Sequence, residues 1–297
     1  MSNLLYKYDE CSLQEDTQGS SARNALDELP DRLKLSASLS PSVCLKTTNL
    51  HTLALLADSA LPLGSFAFSS GLESFLAHRR LAGRQGRDAN ARPAFRVFLE
   101  LSLTSLAGTA LPYVLAAYRH PESIEDLDND LDASTPCTVA RRASIAQGRA
   151  LLSVWERSFF PHMTSPESES ENTNHIAHLR NFAAGMRASG GQDLAPNAHF
   201  APLWGLVNRI MGIDEASTVY LFLFGHARTI ISAAVRASEL GPYQAQSELA
   251  DPKLRTLLEG LISEYWNMEA SDAAQCVPVI DLWIGRHEKL YSRIFNS

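Results

Sequence analysis

The sequence predicts an all-α fold. It reads as a single helical-bundle domain with a largely disordered N-terminal extension and polar loop insertions. From residue 50 onward, apolar residues recur every three or four positions, which is the period of a helix with one buried face. No run of alternating apolar and polar residues is set between hairpin turns, so a sheet has no support. Start and stop residues bracket the periodic segments. With 297 residues the chain has room for one large domain or two small ones, and no internal repeat divides it.

Residues 1–49 form the predicted extension. They mix acids, Ser, Gln and Gly (Gln14–Ser21, then Ser36–Ser42) and sustain little periodicity beyond one short helix at Arg23–Leu29. The domain is predicted to span 50–297, with helices at Leu50–Asp58, Ser70–Arg80, Pro93–Leu111, Val139–Phe160, Ile176–Ala188, Pro202–Met211 and Asp214–Glu239. Ser70-Gly71-Leu72-Glu73 matches a capping box, in which Ser and Glu satisfy orphan amides reciprocally. Pro93 suits a first helical turn, Asp214 an N-cap and Gly241-Pro242 a stop. Two stretches read as protruding polar loops. Residues 121–135 hold Glu122, Glu125, Asp126, Asp128, Asp130 and Asp132 without Lys or Arg, and residues 164–174 read TSPESESENTN.

Composition removes several function classes. Lys+Arg total 26 against 33 Asp+Glu, and the net charge of −7 argues against a general nucleic-acid binder. The uncharged run Leu101–Tyr118 carries Ser102, Thr104, Ser105, Thr109 and Pro112, so a buried helix is expected and a membrane span is not. Cys11, Cys44, Cys137 and Cys276 are far apart with no CxxC, against both a disulfide framework and a zinc ribbon. Such thiols suit a reducing compartment, and residues 1–10 carry no apolar secretory core, so a cytoplasmic location is expected.

Catalytic signatures are missing. The stretch from Gly64 to Gly71 lacks the GK[ST] of a phosphate loop, and there is no GxSxG elbow or HExxH. His175 and His178 stand at i,i+3, a feasible metal pair without an evident third ligand. The expectation is a binding protein with no catalytic residues, no metal site and no stably bound cofactor.

Three features point to binding. Tyr220–Leu240 begins bulky and turns small, and Arg228, Ser232 and Arg236 follow at steps of four. At about 100° per residue the two arginines lie about 80° apart with Ser232 between them. Such a cationic stripe suits bidentate contacts to carboxylates or phosphates, or an ion pair within the chain. The segment from Asp58 to Phe66 has Pro62 to fix a turn and Gly64 to tighten it, with Phe66 and Phe68 as aromatic surface or as two aromatics buried beneath the turn. The end of the chain, His287–Ser297, carries Tyr291, Arg293, Ile294 and Phe295, which suits docking in a groove of its own or a partner's.

Together these blocks resemble the urease accessory protein F family (UreF), with tail and loop lengths like those of its eukaryotic members. The matching stretches are DSALPLGSFAFSSGLES at 58–74, RASIAQGRALLSVW at 142–155, HFAPLWGLV at 199–207, LFLFGHARTIISAAVRASELGPYQAQ at 221–246 and HEKLYSRIFNS at 287–297. The resemblance implies a helical, commonly homodimeric chaperone of nickel insertion into apo-urease. It implies partners: a second accessory protein (UreD, also called UreH) and a nickel-carrying GTPase (UreG). Nickel would be handled by the complex, and GTP bound by the partner. Partner contacts would then fall at Asp58, Pro62, Gly64, Phe66, Ser69, Gly71 and Glu73, at Arg228, Ser232 and Arg236, and at the anchors Tyr291, Arg293 and Phe295. The alternatives are an all-α scaffold or GTPase regulator unrelated to urease, and a helical enzyme using His and Glu in a cavity.

Overall fold

Periodic apolar residues become helices packed on one another throughout the computed structural model, which describes residues 47–81, 91–163, 170–188 and 196–296. Twelve α-helices occur among the described residues, and no strand. In chain order they are α1 (Thr47–Ala57), α2 (Leu72–Leu81), α3 (Ala91–Thr109), α4 (Leu111–Arg119), α5 (Ile124–Ser134), α6 (Thr138–Val154), α7 (Ser170–Ala188), α8 (Phe200–Ile210), α9 (Glu215–Arg236), α10 (Pro242–Leu249), α11 (Pro252–Tyr265) and α12 (Pro278–Arg286). Residues Thr47–Ser297 form one compact unit.

The centre of that unit is α8. Nearly all its residues are buried, including Leu203, Trp204, Leu206, Val207 and Ile210. A helix apolar on all sides must be enclosed on all sides. It packs chiefly against α4 and α6. Glycine sets both approaches. A Cβ at Gly205 would stand 2.2 Å from the Val114 carbonyl oxygen of α4, and one at Gly148 of α6 would stand 2.0 Å from the Ala198 carbonyl oxygen. Neither space exists, so the backbones approach this closely only because a side chain is absent.

The uncharged run 101–118 is buried helix, as its polar residues suggest, but it is broken. Pro112 sits in the first turn of α4, where its missing N–H is no loss, and α3 ends three residues before it at Thr109. By length and composition, 93–119 and Glu215–Arg236 are apolar enough to cross a membrane; both contribute core residues such as Phe98, Leu103, Leu223 and Ile230. Asp214 caps α9 as predicted, accepting the Ser217 N–H at 2.9 Å.

Other expectations need correction. Residues 121–135 are not a protruding loop. After a 3-10 turn they form α5, whose Ile124, Leu127 and Leu131 are buried at helical spacing under the acidic face. Asp128, among the acids, is itself fully buried. The second polar stretch is helical from Ser170 onward, and its residues 164–169 lie outside the described residues. The capping box at 70–73 does not form. Ser70 has φ 51°, the Ser69 hydroxyl takes the Glu73 N–H at 3.4 Å, and the Glu73 side chain bonds elsewhere. The helices α10, α11 and α12 follow Glu239, where the predicted helices end; each opens with a proline. The described chain enters α1 at Thr47, three residues before the expected border. The readings of residues 1–46 as disordered, and of 23–29 as a helix, lie outside the described residues, as do Cys11, Cys44 and residues 82–90.

Candidate functional site

The turn after α1, the arginine stripe of α9 and the C-terminal tail converge on one face. Arg228 Nη1 donates to the carbonyl of Ala57, and Arg236 Nη2 to that of Phe66. Burial lowers the pKa of both guanidinium groups, and for Arg228 the nearby Asp58 partly offsets it. The guanidinium carbon of Arg236 also lies 4.3 Å from the centroid of the Phe295 ring, a cation–π contact. The stripe therefore binds its own chain and gathers the other two features. Ser232 between them is exposed, and Glu239 is paired with Arg79 at 3.0 Å.

The segment 58–73 is shaped by its own small residues. Asp58 is exposed and its carboxylate takes the Ala60 N–H at 2.9 Å. Pro62 is exposed, and Gly64, with φ 71°, precedes the 3-10 turn Ser65–Ala67. That turn presents Phe66 outward, 69% exposed, while Phe68 and Ser69 are buried. Gly71, with φ 87°, lets α12 approach so closely that a Cβ there would stand 3.0 Å from the Ile284 nitrogen.

The tail lies along this segment. Glu73 receives the N–H groups of Ile294 (2.7 Å) and Phe295 (3.2 Å) and the Nε2 of His287 (2.9 Å). The Asn296 N–H donates to the Ala67 carbonyl at 2.8 Å. Phe295 is only 4% exposed, so the sequence-predicted anchor is seated in a groove of its own chain. Tyr291, Arg293 and Ile294 point away from the fold; Tyr291 is fully exposed and Ile294 63% exposed.

Beside this face lies a cavity of about 430 Å³, whose wall includes Asp58, Phe66, Gln147, His226, Arg228 and Ser232. Several of its polar groups are paired with one another. Ser65 Oγ is 2.8 Å from Gln147 Oε1, and Ser102 Oγ is 3.0 Å from His226 Nε2. Burial pushes the His226 imidazole down to about 4, so it is neutral near pH 7. Among the described residues no group of three or more His, Cys, Asp or Glu is placed to hold a metal ion. His175 and His178 fall on α7 without such a group around them.

Sequence reasoning missed the residues that hold this arrangement in place. Arg142 ties Glu288 (2.9 Å) to the Asn296 carbonyl (3.4 Å). Asp128 accepts the N–H groups of Asn197 (2.6 Å), Ala198 (3.1 Å) and His199 (2.5 Å), fixing the entry to α8 where Ala198 has φ 67°. Buried His199 bridges Ser144 (3.0 Å) and Asp132 (2.9 Å). Arg142, Ser144, Gln147 and Gly148 all belong to the 142–155 block, and His199 and Gly205 to the 199–207 block. The signal was the blocks themselves, since neither spacing nor charge singles these residues out.

The described domain is all-α, its tail seated on its own chain and its exposed face made of aromatic, aliphatic and cationic groups. The UreF family profile matches residues 90–253. The chain is 39% identical over 250 residues to an uncharacterized urease accessory protein UreF-like of Schizosaccharomyces pombe, covering 84% of this chain and 98% of that one. It is 30% identical over 245 residues to urease accessory protein F of Oryza sativa subsp. indica, covering 81% and 82%. It is 27% identical over 250 residues to urease accessory protein UreF of Trichodesmium erythraeum, covering 82% and 94%. The chain belongs to the UreF family of urease accessory proteins.

Proposed function

We propose that this protein is a chaperone of urease maturation, with no catalytic chemistry of its own, that assembles with a second accessory protein of the UreD/UreH type and a nickel-carrying GTPase of the UreG type. In this reading nickel is the cargo, GTP is bound and hydrolysed by the partner, and apo-urease receives the metal. The supporting observation is the outward face made by Phe66, Tyr291, Arg293 and Ile294 over a tail seated by Glu73 and Arg236. Exposed aromatic and aliphatic groups flanked by arginine are the composition of an interface hot spot. Asp58, Pro62, Gly64, Ser69 and Gly71 shape that face, and Ser232 lies open beside it. Arg228 and Arg236 act by holding the face together, since one nitrogen of each guanidinium meets a carbonyl of the same chain. A homodimer within the complex, and a cytoplasmic setting, belong to the same reading.

The test is capture of the second accessory protein by the full chain and by Tyr291→Ala, Arg293→Ala and Ile294→Ala. These side chains are exposed, so folding should not change. Loss of about tenfold or more in affinity for at least one of them supports the assignment. Wild-type affinity in all three removes the tail from the interface.

A further inference from the structure

We propose that Glu73 is a positioning residue, whose carboxylate fastens the C-terminal tail to the 64–73 turn and so sets the shape of the docking face. This rests on the docking reading above. Both carboxylate oxygens are engaged: Oε1 by the Ile294 N–H at 2.7 Å, Oε2 by the Phe295 N–H at 3.2 Å and by His287 Nε2 at 2.9 Å. The Glu73 side chain is 12% exposed and that of His287 is fully buried, so water competes little for the bond between them.

Geometry explains why one carboxylate can govern several side chains. Two successive amides held on one carboxylate fix the backbone at 294 and 295. At this bend Ile294 faces out while Phe295 faces in. Within 291–296 the Phe295 side chain is the one that is buried, so apolar burial holds this stretch at a single ring. Polar contacts must supply the rest, and Glu73 carries more of them than any other side chain the tail meets. The competing account is that Glu73, in the first turn of α2, merely favours the helix through its dipole. That role would not depend on the tail.

The test uses the full chain with Glu73→Gln, Glu73→Asp and Glu73→Ala, each alone and combined with Phe295→Ala. Two quantities are measured: amide exchange at 294 and 295, and affinity for the second accessory protein. In Glu73→Ala, exchange at both amides should accelerate by about tenfold or more, because charged hydrogen bonds are lost. Affinity should fall by about tenfold or more. Glu73→Gln keeps the shape and one acceptor, and Glu73→Asp keeps the charge on a shorter stem, so both should be milder. Added to Phe295→Ala, the Glu73 changes should cost no further affinity, since coupled residues are not additive. Unchanged exchange in Glu73→Ala, or losses that add in full, would overturn the proposal. Faster exchange with wild-type affinity in every variant would instead remove the docking reading, and with it the functional half of this inference.

Discussion

The guanidinium of Arg236 lies 4.3 Å from the centre of the Phe295 ring, so the arginine stripe and the C-terminal tail meet in one contact. The same guanidinium donates to the Phe66 carbonyl, which brings the third sequence feature to the same point. Arg236→Ala should free the tail without unfolding the domain. A cation–π contact at such a site contributes about 0.5–2 kcal/mol, so carboxypeptidase release of the last residues should speed up several-fold. Arg236→Lys should rescue only in part, because an ammonium lacks the planar fork that both stacks and donates. Equal release rates in all three proteins would show that the contact does not hold the tail.

The glycines at the centre of the bundle make a sharper case. Gly148→Ala and Gly205→Ala each drive a methyl group to 2.0–2.2 Å from a backbone oxygen. Overpacking against backbone should cost about 2–4 kcal/mol, read as a lower urea midpoint. Gly260 in α11 is exposed and nothing lies within 4 Å of an added Cβ. Gly260→Ala should therefore stabilise by about 0.5–1 kcal/mol through helix propensity alone. Destabilisation at Gly260 equal to that at Gly205 would contradict the packing described.

Asp128 is an acid with a buried structural task. Asp128→Ala leaves the N–H groups of 197–199 without their acceptor and should cost about 3–5 kcal/mol by chemical denaturation. Asp132 has a related effect on acid stability. Burial would raise its pKa, but hydrogen bonds from Arg141 and His199 and their charges outweigh this and hold it below 3.8. A depressed carboxylate stabilises the fold above its unfolded pKa, and that contribution disappears as pH falls through the folded value. The gap in stability between wild type and Asp132→Asn should be full above pH 3.8 and close below it. A gap independent of pH would refute the ion-pair origin.

His226 acts in the same sense over a higher pH window. Burial lowers its pKa from 6.5 to about 4, so the unfolded chain binds more protons between those values. Stability should rise with pH across that window, by up to about 3 kcal/mol, and level off above pH 6.5. His226→Gln should flatten the curve. An NMR titration placing the His226 midpoint near 6.5 would contradict the burial described for its imidazole.

How much was legible follows from what each residue does. Helical class and the long helices were readable because burial imposes a 3.6-residue period on α3, α6, α8 and α9. The helix α5 was not, because its acids dominate the composition while Ile124, Leu127 and Leu131, at helical spacing, are few. The arginine stripe was visible as a pattern, but its bonding was not. Whether Arg228 meets a partner or the Ala57 carbonyl depends on a contact across 171 positions of sequence. Glu73 is the clearest such case. Local reasoning assigned its carboxylate to a capping box, and the tail, 221 positions away, takes it instead.

The most direct measurement of the maturation role is urease activity, with nickel supplied, in cells lacking this gene. The gene is returned as wild type, Glu73→Ala or Ile294→Ala, with protein levels checked. Urease should be inactive in the deletion and restored by the wild-type gene. It should remain low with the two variants, despite normal amounts of folded protein. Full urease activity in cells without the gene would contradict the role outright. Full rescue by both variants would leave the role standing and place the docking surface elsewhere on the molecule.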